Sequence, residues 1–360
     1  MKAPQSILDK LSQRKADNAF RELMVQGTRV DFFSNDYLGV AKLPFESNLH
    51  YGSTGSRLIS GNSKFTERLE NSLAGFYQQE AGLLFSSGYD ANLSIYSCIP
   101  QKGDTVLYDE YVHASIRDGI RLSHAQSFSF KHNDLQHLKE RLRVATGTIY
   151  IAVESIYSMD GDEAPIELLA ELCSAHKLYL IVDEAHSGGL YGENGQGLVT
   201  EKELDPHVFC KLITFGKAYG SHGALVLGSK EVRDYLVNFA RPFIYTTAAS
   251  FHSQERIEFA VRNVAQMQNE RQKLKTNIDF FRKQIAQQKI KCIESFSPIQ
   301  SVVIPGNEAA RSMAAKIQES GFAVKAILSP TVPKGQERIR ICLHSYNSHE
   351  EIKELIECLK

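Results

Sequence analysis

A chain of 360 residues can bury a large core, in two domains or in one domain with an appendage. Its 41 basic and 42 acidic residues leave a net charge of −1, which excludes an extended basic surface for nucleic acid, and its 42% hydrophobic and 23% charged residues are those of an ordinary globular protein. No apolar run is long enough to span a membrane.

The first stretch, MKAPQSILDKLSQRKADNAFRELM, scatters charges throughout and lacks the apolar centre of an export signal, so a cytoplasmic protein is expected. It reads as an amphipathic helix with Ile7, Leu8, Leu11 and Phe20 available for one face. From about residue 80 to residue 230, short β-rich runs alternate with helical stretches. The runs are AGLLFSSG, TVLYDE, QSFSF, TIYIAVES, LYLIVDEAH, KLITFG and GALVLGS, and IELLAELCSAHK is one of the helices between them. Strands apolar on both faces and separated by helices predict an α/β fold with a mostly parallel sheet covered on both sides. Residues 248–289 read as polar helix, and the last seventy or so as a small α+β unit. The expected divisions are 1–45, an N-terminal helix and arm; 46–245, a large domain; and 246–360, a linking helix and small C-terminal domain. Six dispersed cysteines (Cys98, Cys173, Cys210, Cys292, Cys342 and Cys358) form no C-x-x-C pair, so reduced thiols and no metal site are expected.

Chemistry-bearing residues fall at strand ends. FSSGYDANLS runs from a strand through Ser86-Ser87-Gly88-Tyr89 into a helix start, where free N–H groups bind an anion; an ordinary strand–turn–helix junction is the plainer alternative. In YDEYVHASIRDG, His113 can stack on a flat ring or simply begin a helix. In LYLIVDEAHSGG, Asp183 can open a turn and His186 can be a core histidine; alternatively the carboxylate holds a proton on a heteroaromatic nitrogen. A metal there wants a third ligand that the neighbouring sequence lacks. GLYGENGQG is glycine-rich but polar and reads as a surface loop. Lys217 lies in LITFGKAYGSHGALVLG between two apolar runs, with Gly216, Gly220 and Gly223 permitting close approach and unusual backbone angles. Most lysines near strand ends snorkel to solvent, but one in a desolvated cleft forms Schiff bases. An Asp at one strand end, a Lys beyond the next and a helix-start anion site, with Thr214 adding a hydroxyl, suit pyridoxal 5′-phosphate. No Walker or G-x-G-x-x-G fingerprint supports a nucleotide or dinucleotide instead.

The segments SNDYLG, GSTGSRLISGN, HASIRDG, SMDGDEAP, VDEAH, TFGK and ERIRI, in this order, closely resemble the α-oxoamine synthases of the fold-type I, aspartate-aminotransferase-like pyridoxal phosphate transferases. The resemblance runs from about Ile7 to the C-terminus and is strongest to the biotin-pathway branch that joins L-alanine to a pimeloyl thioester. It implies Lys217 as the lysine holding the cofactor's aldehyde carbon, Asp183 as partner of the ring nitrogen, His186 as donor to the ring oxygen and His113 stacked on the ring. Gly88, Tyr89 and Thr214 would hold the phosphate, with Thr246 or Thr247 from the partner subunit of a homodimer whose active site lies at the interface. Ser158 would lie near the ring oxygen with Glu154 behind it. Arg340 would grip the amino-acid carboxylate, and Arg21, Asn35 and Thr331 would lie on the substrate side. The implied donor is pimeloyl-CoA or a pimeloyl carrier protein. Sister synthases using glycine or serine, and a non-catalytic cofactor-binding homologue, are the alternatives.

Overall fold

The computed structural model describes residues 3–47 and 52–360, so Met1 and Lys2 of the N-terminal stretch lie outside the described residues. In chain order its strands are β1 (Val30–Asp31), β2 (Ala81–Phe85), β3 (Thr105–Asp109), β4 (Gln126–Phe130), β5 (Ile149–Glu154) and β6 (Tyr179–Asp183). They continue as β7 (Cys210–Thr214), β8 (Ala224–Gly228), β9 (Ile299–Val303), β10 (Phe322–Ala323), β11 (Lys325–Ile327) and β12 (Arg338–Cys342). The helices begin with α1 (Gln5–Ala16), α2 (Lys64–Phe76), α3 (Gly88–Cys98), α4 (Ala114–Leu122), α5 (Leu135–Leu142) and α6 (Ile166–His176). They end with α7 (Leu198–Glu201), α8 (Lys230–Phe239), α9 (Arg241–Ile244), α10 (Phe251–Gln266), α11 (Gln268–Gln287), α12 (Asn307–Glu319) and α13 (His349–Cys358).

All seven β-rich runs between residues 80 and 230 are strands of one sheet, ordered β2-β8-β7-β6-β5-β3-β4. Pairing from β7 through β6, β5 and β3 to β4 is parallel, while β8 runs antiparallel to both β7 and β2. Composition explains the layering. β2 and β8 are buried along their whole length, and β5 and β6 are buried beyond their first residue, so both sheet faces need a cover of helices. The edge strand β4 opens on exposed Gln126 and Ser127. Helix starts are fixed by side chains: Ser63, Ser87, Asp134, Ser229, Ser250 and Ser348 each accept the N–H three residues on.

The described residues group into two compact units. The larger takes Leu38–Ser158 and Glu163–Asn269 and contains the seven-stranded sheet. The smaller takes the chain up to Tyr37, Met159–Asp162 and Glu270–Lys360. It holds the antiparallel sheet β11-β12-β9 and a two-stranded parallel pair of β1 with β10. The helical stretch expected over 248–289 is present as α10 and α11, parted at Met267, whose ψ of 44° is not helical.

Two expectations are corrected. The N-terminal helix forms, but it buries no residue, and Ile7, Leu8 and Leu11 are 49%, 42% and 44% exposed. Phe20 lies outside it, because Asn18 adopts left-handed backbone (φ 50°) and the Ala19 N–H bonds back to Arg14 O, ending the helix. The run from Gly189 to Gly197 is not a surface loop, since Gly195, Gln196 and Gly197 are buried. It wraps the buried Glu184 carboxylate, which accepts from Val199 N and Ser187 Oγ at 2.9 Å each. A Cβ on Gly197 would meet Glu184 Oε1 at 2.7 Å.

Gly220 is required by the chain itself. Its φ is +53°, and a Cβ there would meet Ala41 N at 2.1 Å. Gly220→Ala is expected to cost about 2–5 kcal/mol, from left-handed strain plus a backbone clash, read as a lowered midpoint in denaturant unfolding.

Candidate active site

In the larger unit the parallel strands end along one edge of the sheet, where open α/β sheets gather ligands. Glu154, last in β5, pairs in register with Asp183, last in β6. Asp183 is buried at 4% exposure; Oδ1 accepts from Ala185 N at 2.9 Å and Oδ2 from Asn92 Nδ2 at 2.7 Å. His186 is buried three residues on. Glu154 receives the backbone N–H groups of His113 and Ser158, yet its Oε1 is buried without a hydrogen-bond partner among the described residues. Burial, reinforced by the Asp183 charge, raises the Glu154 carboxyl to about 8, while the Lys217 charge opposes the rise.

Lys217 lies in the connection from β7 to β8 and is half-buried. That connection is tied by Phe215 N to Gly223 O (2.9 Å), Ser221 N to Phe215 O (2.8 Å) and Gly220 N to Lys217 O (2.8 Å). Lys217 and Asp183 both act electrostatically on Glu154 and on His113, so the amine and the carboxylate share one locus. His113 caps α4: its Nδ1 accepts from Ser115 N at 3.2 Å, with Ser115 Oγ at 2.8 Å. Although its surface is exposed, partial desolvation by the surrounding chain lowers its pKa, the Asp183 charge resists, and the Lys217 charge adds to the lowering.

The helix α3 starts at Gly88, beside the end of β7. A Cβ on Gly88 would sit 3.5 Å from Thr214 Cβ, so hydroxyl and helix start adjoin. Ser87 Oγ accepts the Asp90 N–H, leaving Gly88 and Tyr89 to supply the orphan donors every helix start carries. The Tyr89 ring is exposed, its hydroxyl donating to Asp118. Exposed Thr246 and Thr247 border one recess with Ser86 and Arg57.

The smaller unit brings the remaining expected residues into two pairs. In β12, RIRIC, residues 338, 340 and 342 share one face by strand alternation. Arg340, 9% exposed, donates through Nη2 to Asn35 Oδ1 at 3.1 Å and through Nη1 to Cys342 Sγ at 3.1 Å. Asn35 is steadied by Tyr37, whose hydroxyl donates to the same Oδ1 at 3.1 Å. Arg21 Nη2 donates to Thr331 Oγ1 at 3.4 Å.

Sequence reasoning did not single out Asn92, Ser115 or the buried ion pair of Arg338 with Asp160. The available signals were a polar residue amid the buried face of α3 and the arginine spacing of RIRIC.

This donor set fits pyridoxal phosphate. A buried carboxylate suits a pyridinium nitrogen, the start of α3 beside Thr214 suits a phosphate, and the unpartnered Glu154 oxygen lies by an amine able to hold an aldehyde carbon.

The profile of aminotransferase class I and II matches residues 28–359. The chain belongs to the aminotransferase class I and II family. Within that family it is similar to the 8-amino-7-oxononanoate synthase of Emericella nidulans, 39% identical over 98% of this chain and 92% of that protein. A solved 8-amino-7-oxononanoate synthase from Francisella tularensis is 30% identical, with a TM-score of 0.80 over 92% of this chain and 97% of that one. A Sphingomonas wittichii serine palmitoyltransferase, 24% identical, shares the fold at a TM-score of 0.90 over 98% of this chain and 95% of that one. The family fold is the fold-type I transferase expected from the sequence. Among the described residues, no helix is long and apolar enough to cross a membrane, and no His, Cys, Asp and Glu side chains cluster as metal ligands.

Proposed function

We infer that this chain is a pyridoxal-phosphate-dependent acyltransferase acting as an 8-amino-7-oxononanoate synthase in biotin biosynthesis. L-Alanine and a pimeloyl thioester give the amino ketone, carbon dioxide and a free thiol. The observation that carries the reading is the shared locus of Lys217 and Asp183, in a chain 39% identical to a synthase of that name.

When bound, the cofactor supplies an electron-poor ring that accepts the electron pair released at the amino acid's α-carbon. The chain's residues do the rest. Asp183, held from two sides, keeps a proton on the ring nitrogen. Lys217 Nζ holds the aldehyde carbon between turnovers, and once released it takes the Cα proton of alanine and returns one to product. His113 stacks on the ring, His186 donates to its oxygen, Ser158 lies near that oxygen, and Glu154 lies behind. Gly88, Tyr89 and Thr214 hold the phosphate, joined by Thr246 or Thr247 of the partner subunit in a homodimer. Arg340 binds the alanine carboxylate through its planar fork, and Asn35 orients it. Arg21 and Thr331 meet the acyl substrate, a CoA or carrier-protein ester.

Absorption spectra recorded with L-alanine, glycine and L-serine, followed by turnover with pimeloyl-CoA, test the reading. Alanine alone among the three is expected both to perturb the cofactor spectrum and to support turnover with loss of CO₂; preference for glycine or serine would replace this assignment by a sister activity. In the same assay, Arg340→Lys is expected to raise the KM for alanine about 10- to 100-fold, because an ammonium cannot reproduce a bidentate grip.

A further inference from the structure

Four side chains of the larger unit form one hydrogen-bonded line. Asn92, 3% exposed on α3, places its amide nitrogen 2.7 Å from Asp183 Oδ2 and 3.1 Å from Ser115 Oγ. Ser115, fully buried near the start of α4, lies 2.8 Å through Oγ from His113 Nδ1, and its backbone N–H points at the same nitrogen from 3.2 Å. The direction of each bond follows from inventory. A carboxylate only accepts, so the Asn92 amide gives one hydrogen to Asp183 and the other to Ser115 Oγ. Because His113 Nδ1 accepts a backbone N–H, it carries no proton there. Ser115 Oγ–H, already an acceptor from Asn92, therefore completes the line by donating to Nδ1. The one arrangement that satisfies every contact has a neutral imidazole protonated at Nε2.

We propose that Asn92 and Ser115 are positioning residues that lock the Asp183 carboxylate and the His113 ring to each other, fixing His113 as the neutral Nε2–H tautomer. The proposal rests on the pyridoxal reading of the site. A flat cofactor held at its edge by Asp183 and covered on its face by His113 needs those two groups fixed at right angles of approach, although they stand on different elements, β6 and the cap of α4. The Asn92 amide, from a third element, supplies that fixity by holding Asp183 directly and His113 through Ser115. The charged groups facing His113 are Asp183, Lys217 and Asp118. A cationic His113 would add positive charge beside Lys217 and weaken the hold of Asp183 on a ring proton.

Titration of the full-length protein with pyridoxal phosphate, followed by fluorescence, measures the cofactor Kd without recourse to turnover. Asn92→Ala is expected to weaken binding roughly 10- to 100-fold. Asn92→Asp keeps the shape but faces Asp183 with a like charge, and is expected to bind about tenfold worse again. If Asn92 merely filled space, the similarly sized apolar Asn92→Leu would bind the cofactor as the wild type does, and that result would overturn the proposal. A second arm keeps the test decisive should an Asn92 variant fail to fold. With ¹⁵N-histidine labelling and the cofactor bound, wild-type His113 is expected to show the Nε2–H tautomer between about pH 6 and 8, and Ser115→Ala to show mixed tautomers or a titration in that range. An Nδ1–H or doubly protonated His113 in the wild type would also overturn it. Failure of the wild-type protein to bind pyridoxal phosphate is a different result, which removes the functional reading itself.

Discussion

Lys217→Ala is expected to lower turnover of alanine and pimeloyl thioester by at least about 10³-fold while the protein still takes up pyridoxal phosphate. The expectation follows from how the site divides its labour. The phosphate cradle proposed at Gly88 and Thr214 and the carboxylate of Asp183 do not depend on the amine, so binding is expected to survive. Holding the aldehyde carbon and moving the Cα proton both need a neutral, nucleophilic nitrogen at that point of the β7–β8 connection, and no second amine acts on Glu154 and His113 among their resolved interactions. Lys217→Arg serves as the control for charge. It retains the cation beside Asp183 but stays protonated throughout the accessible pH range, so it is expected to be as inactive as the alanine variant. Borohydride treatment should fix cofactor to the wild-type chain and leave both variants unlabelled. Steady-state rates within tenfold of wild type for either variant would remove Lys217 from the chemistry.

The second large effect is at Asp183. Asp183→Asn preserves size and can still accept from Asn92, so the edge of the sheet should stay intact. What disappears is the buried negative charge that favours a proton on the ring nitrogen. Taking one member from a buried charge pair costs about 3–5 kcal/mol, which corresponds to a fall in kcat of roughly 10²- to 5 × 10³-fold. Glu154 reports the same change independently. Its elevated pKa arises first from burial and then from the Asp183 charge, so neutralising residue 183 should move the Glu154 carboxyl downward. Rates and the cofactor's absorption measured against pH would show both effects; an unchanged kcat would mean the ring proton is held elsewhere.

Much of this site was legible because its signals are local. Asp183 and Glu154 close apolar strands, and Ser87-Gly88 lies where a strand turns into a helix. A parallel sheet then carries such ends to one edge without further information. The parts that escaped depend on neighbours remote in sequence. Asn92 faces Asp183 across 91 positions, and nothing in DANLS announces it. Gly220 must be glycine because of Ala41, remote in sequence. GLYGENGQG is polar in composition yet buried at Gly189 and over Gly195–Gly197, since its end packs on a carboxylate whose partners lie on α7 and in its own turn. The N-terminal helix misled in the opposite sense. Its apolar residues look like one face of a core helix, but the stripe is too short to continue past Asn18, and this chain leaves it uncovered.

The reversal of β8 has a mechanical corollary. Parallel neighbours must be joined by a long crossover, whereas antiparallel neighbours accept a short link. Because β8 runs against β7, Lys217 is leashed within nine residues (215–223) whose two ends are anchored in adjacent strands. In the proposed role, an amine on so short a tether, once it released its carbon, would drift no farther than its own four methylenes allow. Recapture after each proposed cycle would then be a matter of side-chain rotation, with the backbone standing still.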